Sequence, residues 1–193
     1  MGDPKKLRKK YSPPRHPWQG ARIASEKILV EEYGLKNKRE IYKAQSLLRR
    51  FTKQAKNLIA AKTEQSQVEK KQLFSKLAKL SLLSKEADLD NVLGLTLKDI
   101  LDRRLQTLVY KKKLSKTVKQ ARQFISHGNI AIKGQRVNSP SYLVKLEEEN
   151  DIDFVADSSL SNKEHPERVI KEKVEVKKEI KREVKERWYS KIN

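Results

Sequence analysis

The sequence predicts an α+β fold: a helical N-terminal domain is followed by a compact helix–helix–hairpin–strand module, with a basic N-terminal arm and a charged C-terminal tail. Apolar residues recur at steps of three and four through several segments before residue 126, which is the period of an amphipathic helix. The period changes to two at Ile130 and Ile132, as in a half-buried strand. The predicted boundaries are 1–21 for the arm, 22–95 for the helical domain, 96–157 for the module and 158–193 for the tail.

The arm is predicted from its prolines and its cations. Pro13, Pro14 and Pro17 lock their own φ angles and offer no amide hydrogen, so they favour an extended chain. Lysines and one arginine precede them within the first ten residues. Basic N-terminal segments of this kind are typical of chains that contact a polyanion.

The helical domain is predicted to contain one long, well-marked helix. Asn37 and Glu40 stand at the spacing of a capping box, in which each side chain bonds to the other residue's backbone. Apolar residues then recur at helical steps from Ile41 as far as Ile59. The neighbouring helices are predicted to end at Tyr33-Gly34 and to span 66–83, and Gly94 is interpreted as a hinge.

The module is predicted to begin with two helices. Thr96 is expected to cap a single helix whose inner side runs from Leu97 to Val109. Ser115 is expected to cap a second helix that ends at Gly128. The two helices would pack their apolar sides against the strands that follow.

Strands are predicted to complete the module. Lys133-Gly134-Gln135 indicates a tight turn after Ile132, and Val137 begins the returning strand. The segments 142–144 and 152–154 are interpreted as two further short strands. The mixed Lys/Glu run at 163–187 predicts a charged tail helix, to which we assign no function.

The composition excludes several classes of protein. The 193 residues include no Cys, which removes disulfides, Cys-type zinc sites and thiol catalysis. The three His have no metal-binding spacing, and the glycines form neither a dinucleotide fingerprint nor a phosphate-binding loop. No apolar stretch is long enough to span a membrane. We therefore expect a cytoplasmic protein that is not an enzyme and holds neither a cofactor nor a metal.

Charge is the strongest functional signal in the sequence. The chain has 45 Lys and Arg against 25 Asp and Glu, a formal net charge of +20 that indicates a polyanionic partner. Residues 103–146 contain eleven basic side chains and no acidic one. Like charges three or four residues apart destabilise a helix, so an acid-free stretch indicates that a polyanion supplies the counter-charge.

The long helix after Asn37 repeats this design. Six basic side chains and no acidic one occur from residue 41 to residue 62. A single basic amphipathic helix would also suit an anionic membrane surface, but this apolar stripe contains Ala and lacks Trp. Two basic elements in different parts of the chain favour a long, folded nucleic acid over a membrane.

A set of positions in the module has the spacing of a known family. They are Leu101-Asp102-Arg103-Arg104-Leu105-Gln106-Thr107, Ser115-Lys116, Gln120-Ala121-Arg122, Ile125, Gly128, Ile130, Ile132, Gly134, Val137 and Pro140-Ser141-Tyr142. Over residues 101–155 they resemble the RNA-binding module of small-subunit ribosomal protein S-four. Lys116 and Lys133 depart from that pattern, which usually has Arg and Asn at these two positions.

Two further motifs extend the resemblance to about residues 13–155. Tyr33-Gly34-Leu35-Lys36-Asn37-Lys38-Arg39-Glu40 and Leu93-Gly94-Leu95 are similar to the archaeal and eukaryotic type of S-four, called S-nine in older eukaryotic naming. The resemblance implies a structural protein that binds small-subunit rRNA early in assembly, near a multi-helix junction. It also implies a place at the mRNA entrance, beside ribosomal protein S-five, with mRNA within reach and no homo-oligomer.

The candidate RNA-binding residues combine the acid-free stretches with the motif positions of the resemblance. They are Lys9, Lys10 and Arg15 in the arm, Arg49, Arg50 and Lys53 on the long helix, and Arg103, Arg104, Lys112, Lys113, Lys116, Lys119, Arg122, Lys133 and Arg136 in the module. RNA is preferred over DNA because no helix carries the Asn, Gln and Arg set that reads bases in a major groove.

Two other hypotheses remain open at this point. The module also occurs in RNA-modifying and ribosome-associated factors, where it acts as an RNA adaptor, and this chain would then be such a factor. A membrane-surface protein is the third reading, because a basic surface also attracts anionic lipid.

Overall fold

The structure is a computed structural model that describes residues 9, 11–61, 63–84, 88–162 and 165–167. Its elements, in chain order, are α1 (Gly20–Glu32), α2 (Lys38–Ala60), α3 (Glu64–Lys79), α4 (Leu89–Leu93), α5 (Leu97–Asp102), α6 (Leu105–Lys111), α7 (Val118–Ser126), β1 (Ile130–Ile132), β2 (Gln135–Arg136), α8 (Leu146–Glu149) and β3 (Ile152–Phe154), followed by a 3₁₀ turn (Ser159–Ser161). Helices followed by one small antiparallel sheet confirm the predicted α+β class. The predicted tail helix at 163–187 lies almost entirely outside the described residues.

Helix α2 is the central helix of the N-terminal half. Its apolar stripe buries Ile41, Ala44, Phe51 and Ala55, and the helix packs against α1, α3, α4 and α5. The predicted capping box is wrong, because the Asn37 side chain makes no capping hydrogen bond. The Glu40 carboxylate, its expected partner, is instead bonded to side chains of the module.

Helices α1 and α3 end where the backbone turns left-handed. After α1, Gly34 has a φ of +57°, and the Leu35 amide closes the helix on the Val30 carbonyl at 3.0 Å. Helix α3 ends at Lys79, before the predicted residue 83, because Ser81 takes a φ of 53° and its amide closes on Ala78. Gly94 has an ordinary right-handed φ of −76°, so its proposed role as a hinge stays a prediction.

The single helix predicted for residues 97–109 is two helices. Thr96 and Asp99 form a capping box at the start of α5, as expected for a cap at Thr96. The helix then breaks at Arg103-Arg104, where the Arg103 carbonyl accepts from the Val144 amide and the Leu105 amide donates to the Tyr142 carbonyl. Pairing with this distant segment takes the backbone bonds that a continuous helix would need.

Two more local predictions for the module are wrong. Helix α7 is capped by the Thr117 hydroxyl, which accepts from the Gln120 amide, and the expected cap Ser115 is buried before it. Residues 142–144 form only an isolated bridge, between Leu143 and Arg104, so they are not a strand of the sheet. Helix α8, which the sequence did not indicate, follows directly.

The sheet has the order β2-β1-β3, and both pairings are antiparallel. Lys133 and Gly134, with φ of 51° and 76°, form the two-residue turn from β1 to β2, and both residues are exposed. The returning strand therefore begins at Gln135, a residue of the predicted turn, and not at Val137. The strand at 152–154 is confirmed, and it pairs with β1. This arrangement leaves the Lys133 side chain at the tip of the hairpin.

Three apolar clusters form the core. The first contains the inner residues of α6, α7 and the sheet together with Leu160. The second joins α1 and the start of α2 to Ile100 and Leu101 of α5, and the third joins α2 to α3 and α4. The change of cluster falls at Arg103-Arg104, seven residues beyond the predicted start of the module, and the exact domain boundary stays a prediction. Among the described helices, none is both long and apolar enough to cross a bilayer.

Candidate RNA-binding surface

Five cations of the module point outward without an acidic partner. Lys113, Lys116, Lys119, Lys133 and Arg136 are exposed, and within the described residues none of them forms an ion pair. We call these five residues the module face. Uncompensated surface cations of this kind neutralise phosphates and release counterions when RNA binds.

The positions of the module face follow from turns and caps. Lys113 has a φ of 58° in the turn that closes α6, where the Leu114 amide donates to the Val109 carbonyl. Lys119 lies in the first turn of α7. Arg136, on β2, is so close to Gly128 that a Cβ added to this glycine would lie 3.0 Å from the Arg136 Cδ. The hairpin therefore presents Arg136 beside the C-terminal end of α7.

Lys116 meets a later segment of the chain. Its Nζ donates to the Pro166 carbonyl at 2.9 Å, and Gln120, one turn along, donates to the Glu167 carboxylate. Its own amide donates to Gln120 Oε1 at 2.7 Å. The ammonium group thus has a neutral backbone partner and no acidic partner among the described residues.

A second set of free cations lies on α2. Arg49, Arg50, Lys53 and Lys56 are exposed on the side opposite the buried stripe, and none of them forms an ion pair in the part of the chain that the structure describes. We call these four residues the α2 face. It contains all three candidates that the sequence placed on this helix.

Two of the module's candidate cations already have partners beside α8. Arg103 Nη1 forms an ion pair with Glu149 at 2.8 Å, and its Nη2 donates to the Val144 carbonyl. Lys112 is half-buried, and its Nζ donates to the Asn150 carbonyl at 3.1 Å. These side chains hold α8 against the rest of the module, and Arg103 is largely neutralised by Glu149.

Arg104 and Arg122 are committed to one carboxylate of the N-terminal half. Arg104 is 5% exposed, and its Nη2 donates to Glu40 Oε2. Arg122 Nη2 donates to Glu40 Oε1 at 2.8 Å, and its Nη1 lies 3.3 Å from Oε2. Glu40 is thus a clamp between α2 and two separate elements of the module. Arg104 and Arg122 therefore point toward the contact between α2 and the module, which we call the joint. We leave both residues out of the proposed RNA-contacting surface.

The charge state of the clamp follows from its surroundings. Burial raises the pKa of Glu40, but the hydrogen bonds and positive charges of Arg122 and Arg104 outweigh it, and the pKa lies below its ordinary value. The carboxylate is therefore ionised at neutral pH. One negative charge between two guanidinium groups leaves the clamp with a net charge of about +1.

Gln106 forms the neutral part of the same joint. It is fully buried, and its Nε2 lies 3.0 Å from the carbonyl oxygens of both Gly34 and Val118. Its Oε1 accepts from Arg122 Nη1 at 3.3 Å. One amide side chain therefore connects the end of α1, the start of α7 and the clamp.

The arm makes contact with α2 where it is described. The Ser12 amide donates to Ser46 Oγ at 3.0 Å, and the rings of Tyr11 and Tyr42 stack with centroids 6.5 Å apart. The candidates Lys9 and Arg15 are exposed, and Lys10 lies outside the described residues.

Sequence reasoning missed Glu40 and Gln106 as residues of the joint. The spacing of Asn37 and Glu40 predicts a capping box, yet Glu40 is also the only acidic residue from 33 to 63. A lone acid in a basic stretch is a signal of an internal ion pair. Gln106 carries no such signal, because an amide in a helix is ordinarily a surface residue.

The described residues contain no candidate metal site, because no three or more of their His, Asp or Glu side chains are grouped so that they could hold an ion. The module face supplies exposed ammonium and guanidinium groups. These groups bind phosphate oxygens, and they suit recognition of a folded RNA by its backbone.

Comparison with known proteins connects this surface to a family. Residues 103–150 match the S4 domain family. The chain is 51% identical over 169 residues to the small ribosomal subunit protein uS4 of Methanococcus maripaludis strain C7, which is 87% of this chain and 95% of that protein. It is 53% identical over 164 residues to the protein of the same name from Saccharolobus solfataricus, covering 84% of this chain and 91% of the relative.

Proposed function

The chain belongs to the family of small ribosomal subunit protein uS4, and from this premise we propose that it is a structural constituent of the small ribosomal subunit that binds small-subunit rRNA. Its relatives are named as ribosomal subunit proteins, and no enzymatic activity is assigned to it. The similarity extends well beyond the S4 domain, so it does not favour an RNA-modifying factor that shares only that module.

The observation that carries this proposal is the module face. Its five cations lie within the residues that match the S4 domain, and each is exposed without an acidic partner in the described chain. Arg103, Arg104 and Arg122 nearby are paired with internal acids, so the fold does not simply lack acids at this place. The free cations are those on the outside, where phosphates of RNA would supply the missing charge.

The resemblance supports a more detailed proposal about place and partners. The protein joins the small subunit early in assembly, at a multi-helix junction of the rRNA near the mRNA entrance. It lies beside ribosomal protein S-five, with mRNA within reach, and it acts as a single copy in the cytoplasm. The α2 face adds a second cationic surface, as expected for a protein that binds more than one RNA helix at a junction.

Binding measurements test the RNA assignment. The protein should bind an rRNA junction fragment more tightly than a DNA duplex of matched length at moderate salt, because shape and 2′-hydroxyl groups distinguish the two. The affinity should fall with salt along a log–log slope of about −0.7 to −0.9 for each phosphate contacted. Equal affinity for RNA and DNA would contradict the proposal, and tighter binding to anionic vesicles would favour the membrane reading.

Co-sedimentation tests the structural role. A structural constituent should remain with small subunits after a high-salt wash, because a folded protein held by many contacts exchanges slowly. A ribosome-associated adaptor should be released by the same wash. Complete release would contradict the assignment as a constituent, even if RNA binding itself were confirmed.

A further inference from the structure

The joint between α2 and the module has a consequence for how the two cationic faces act together. We propose that Glu40 is a positioning residue for RNA binding: by clamping Arg104 and Arg122, it fixes the orientation of the module face relative to the α2 face, so that both engage one RNA molecule. This inference rests on the proposed function, because it concerns how the same rRNA is bound. It assigns a role in RNA binding to a carboxylate whose hydrogen bonds are made within the protein.

The clamp connects parts of the chain that are far apart in sequence. The bonds from Glu40 to Arg104 and Arg122 join residues 64 and 82 positions apart. Arg104 is the cap residue at the break between α5 and α6, while Arg122 lies on α7. Two anchor points on separate elements restrict rotation of the module about α2, which a single bond would leave free.

The remaining contacts at the joint are less directional. Leu143 packs with the apolar cluster formed by α1, α2 and α5, and apolar burial depends on area and only weakly on orientation. Gln106 adds directional bonds to Gly34 and Val118, but these lie on the α1 side of the joint. Among the described residues, the Glu40 bonds are therefore the directional contacts that relate α2 itself to the module.

The geometry of α2 makes small rotations matter. The α2 face is carried by the same continuous helix as Glu40, and Lys53 follows it by 13 residues, or about 20 Å along the axis. A rotation of roughly 10° at the clamp would displace Lys53 by about 3 Å relative to the module face. A shift of that size exceeds the tolerance of a hydrogen bond to phosphate.

Orientation matters because two linked faces bind one RNA more tightly than either face does alone. Once the first face is bound, the second binds at a high effective concentration, but only if the geometry permits both contacts together. Buried ion pairs often add little stability compared with apolar contacts, yet in some proteins they specify geometry. The clamp fits that second role, with binding rather than folding as its main readout.

The first test uses Glu40→Gln, which keeps the size of the side chain and removes its charge. By charge alone, loss of one acid should tighten binding to any RNA. If Glu40 is a positioning residue, the affinity of the variant for an rRNA junction fragment should instead fall at least about tenfold. Its affinity for a short oligouridine should change little. Glu31→Gln is the matched control, because Glu31 is an exposed helical acid with no ion pair in the described chain. Equal or tighter junction binding by Glu40→Gln would overturn the proposal.

The second test asks whether Glu40 acts through the α2 face. Lys53→Gln should weaken junction binding in the wild type, and it should cost much less in the Glu40→Gln background, where the α2 face is already out of place. Contacts that share one cause are non-additive in this way, whereas a purely structural effect of Glu40 would leave the cost of Lys53→Gln unchanged. Additive losses would overturn the positioning role.

A third variant keeps the inference testable if Glu40→Gln unfolds. Glu40→Asp retains the charge but is one methylene shorter, so it cannot hold both guanidinium groups, and junction affinity should fall while oligouridine affinity is unchanged. Wild-type affinity for both probes, in a variant whose circular dichroism matches the wild type, would overturn the proposal. Failure of the wild-type protein itself to bind the junction fragment would instead contradict the proposed function.

Discussion

The joint and the module face use the same kind of residue for opposite purposes. At the joint, Arg104 and Arg122 are buried or half-buried and share the Glu40 carboxylate. On the module face, Lys119 and Lys133 are exposed and have no acidic partner in the described part of the chain. The sequence shows all four as cations in one acid-free stretch. The difference shows that one run of positive charge in the sequence contains both cations that the fold pairs internally and cations that it leaves exposed.

The largest difference between the two regions should appear in stability. Arg104→Ala should lower the free energy of unfolding by about 2–3 kcal/mol, because it removes the buried Arg104 guanidinium from a half-buried carboxylate that keeps only Arg122. Lys119→Ala should stay within about 0.5 kcal/mol of the wild type, since it is a surface change. Urea unfolding of the two variants checks this, and equal losses would erase the distinction between joint and face.

The joint should also be intolerant of added volume. Gly34→Ala should destabilise the protein by more than about 1–2 kcal/mol, because the added Cβ would lie 3.1 Å from Gln106 Nε2 and 3.2 Å from Val118 Cγ1, on a backbone with φ of +57°.

Gly134→Ala is the control for Gly34→Ala, since Gly134 also has a positive φ, +76°, but lies in open space at the hairpin tip. It should carry only the strain of the backbone, about 1–2 kcal/mol. Thermal unfolding measures both variants, and an equal loss would mean that the contact with Gln106 contributes nothing.

Acid should weaken the joint before it affects the module face. The pKa of Glu40 is lowered in the folded protein, so its contribution to stability is present above the unfolded value near 4.5 and is lost as the pH falls through the folded value. The pKa of Glu148 is lowered as well, so the wild type alone does not isolate Glu40.

The measurement is therefore the difference in unfolding free energy between the wild type and Glu40→Gln from neutral pH to about pH 3. That difference should shrink as the pH falls, because protonation makes Glu40 resemble Gln. A constant difference over the whole range would show that the Glu40 charge does not stabilise the joint.

The smallest change in stability should accompany a clear change in RNA binding. Lys119→Gln and Lys133→Gln should each leave the unfolding free energy within about 0.5 kcal/mol and make the log–log salt slope of rRNA binding shallower by about 0.7–0.9. Lys111→Gln is the matched control, because Lys111 pairs with Asp102 at 2.9 Å. Its slope should change less, and an equal change would show that an acidic partner does not keep a lysine from the RNA.

Much of the fold could be predicted from local patterns. The α2 stripe, the cap at Thr96, the turn at Lys133-Gly134 and the strand at 152–154 all depend on residues within a few positions of each other. Some errors were local, at the end of α3 and at the cap of α7, and others arose where a distant segment intervened. Arg103-Arg104 breaks a helix because residues 142–144 pair with its backbone, and no pattern within the helix announces that competition.

The candidate site divides along the same line. The exposed cations on α2 and on the hairpin follow from helical period and turn chemistry, so their outward placement could be inferred. The sequence could not distinguish Arg103 and Lys112 from these exposed cations, because their partners are distant along the chain. Glu149 lies 46 positions after Arg103, and Asn150 lies 38 positions after Lys112.

The sequence by itself determined the class of fold, the concentration of charge in residues 103–146 and the family resemblance, because periodicity, composition and motif spacing are properties of neighbouring residues. Only the tertiary structure decided which cations of the described chain are exposed without an acidic partner. Glu40 reaches Arg104 and Arg122 across 64 and 82 residues, and whether a charge is free depends on what the folded chain places within about 3 Å of it.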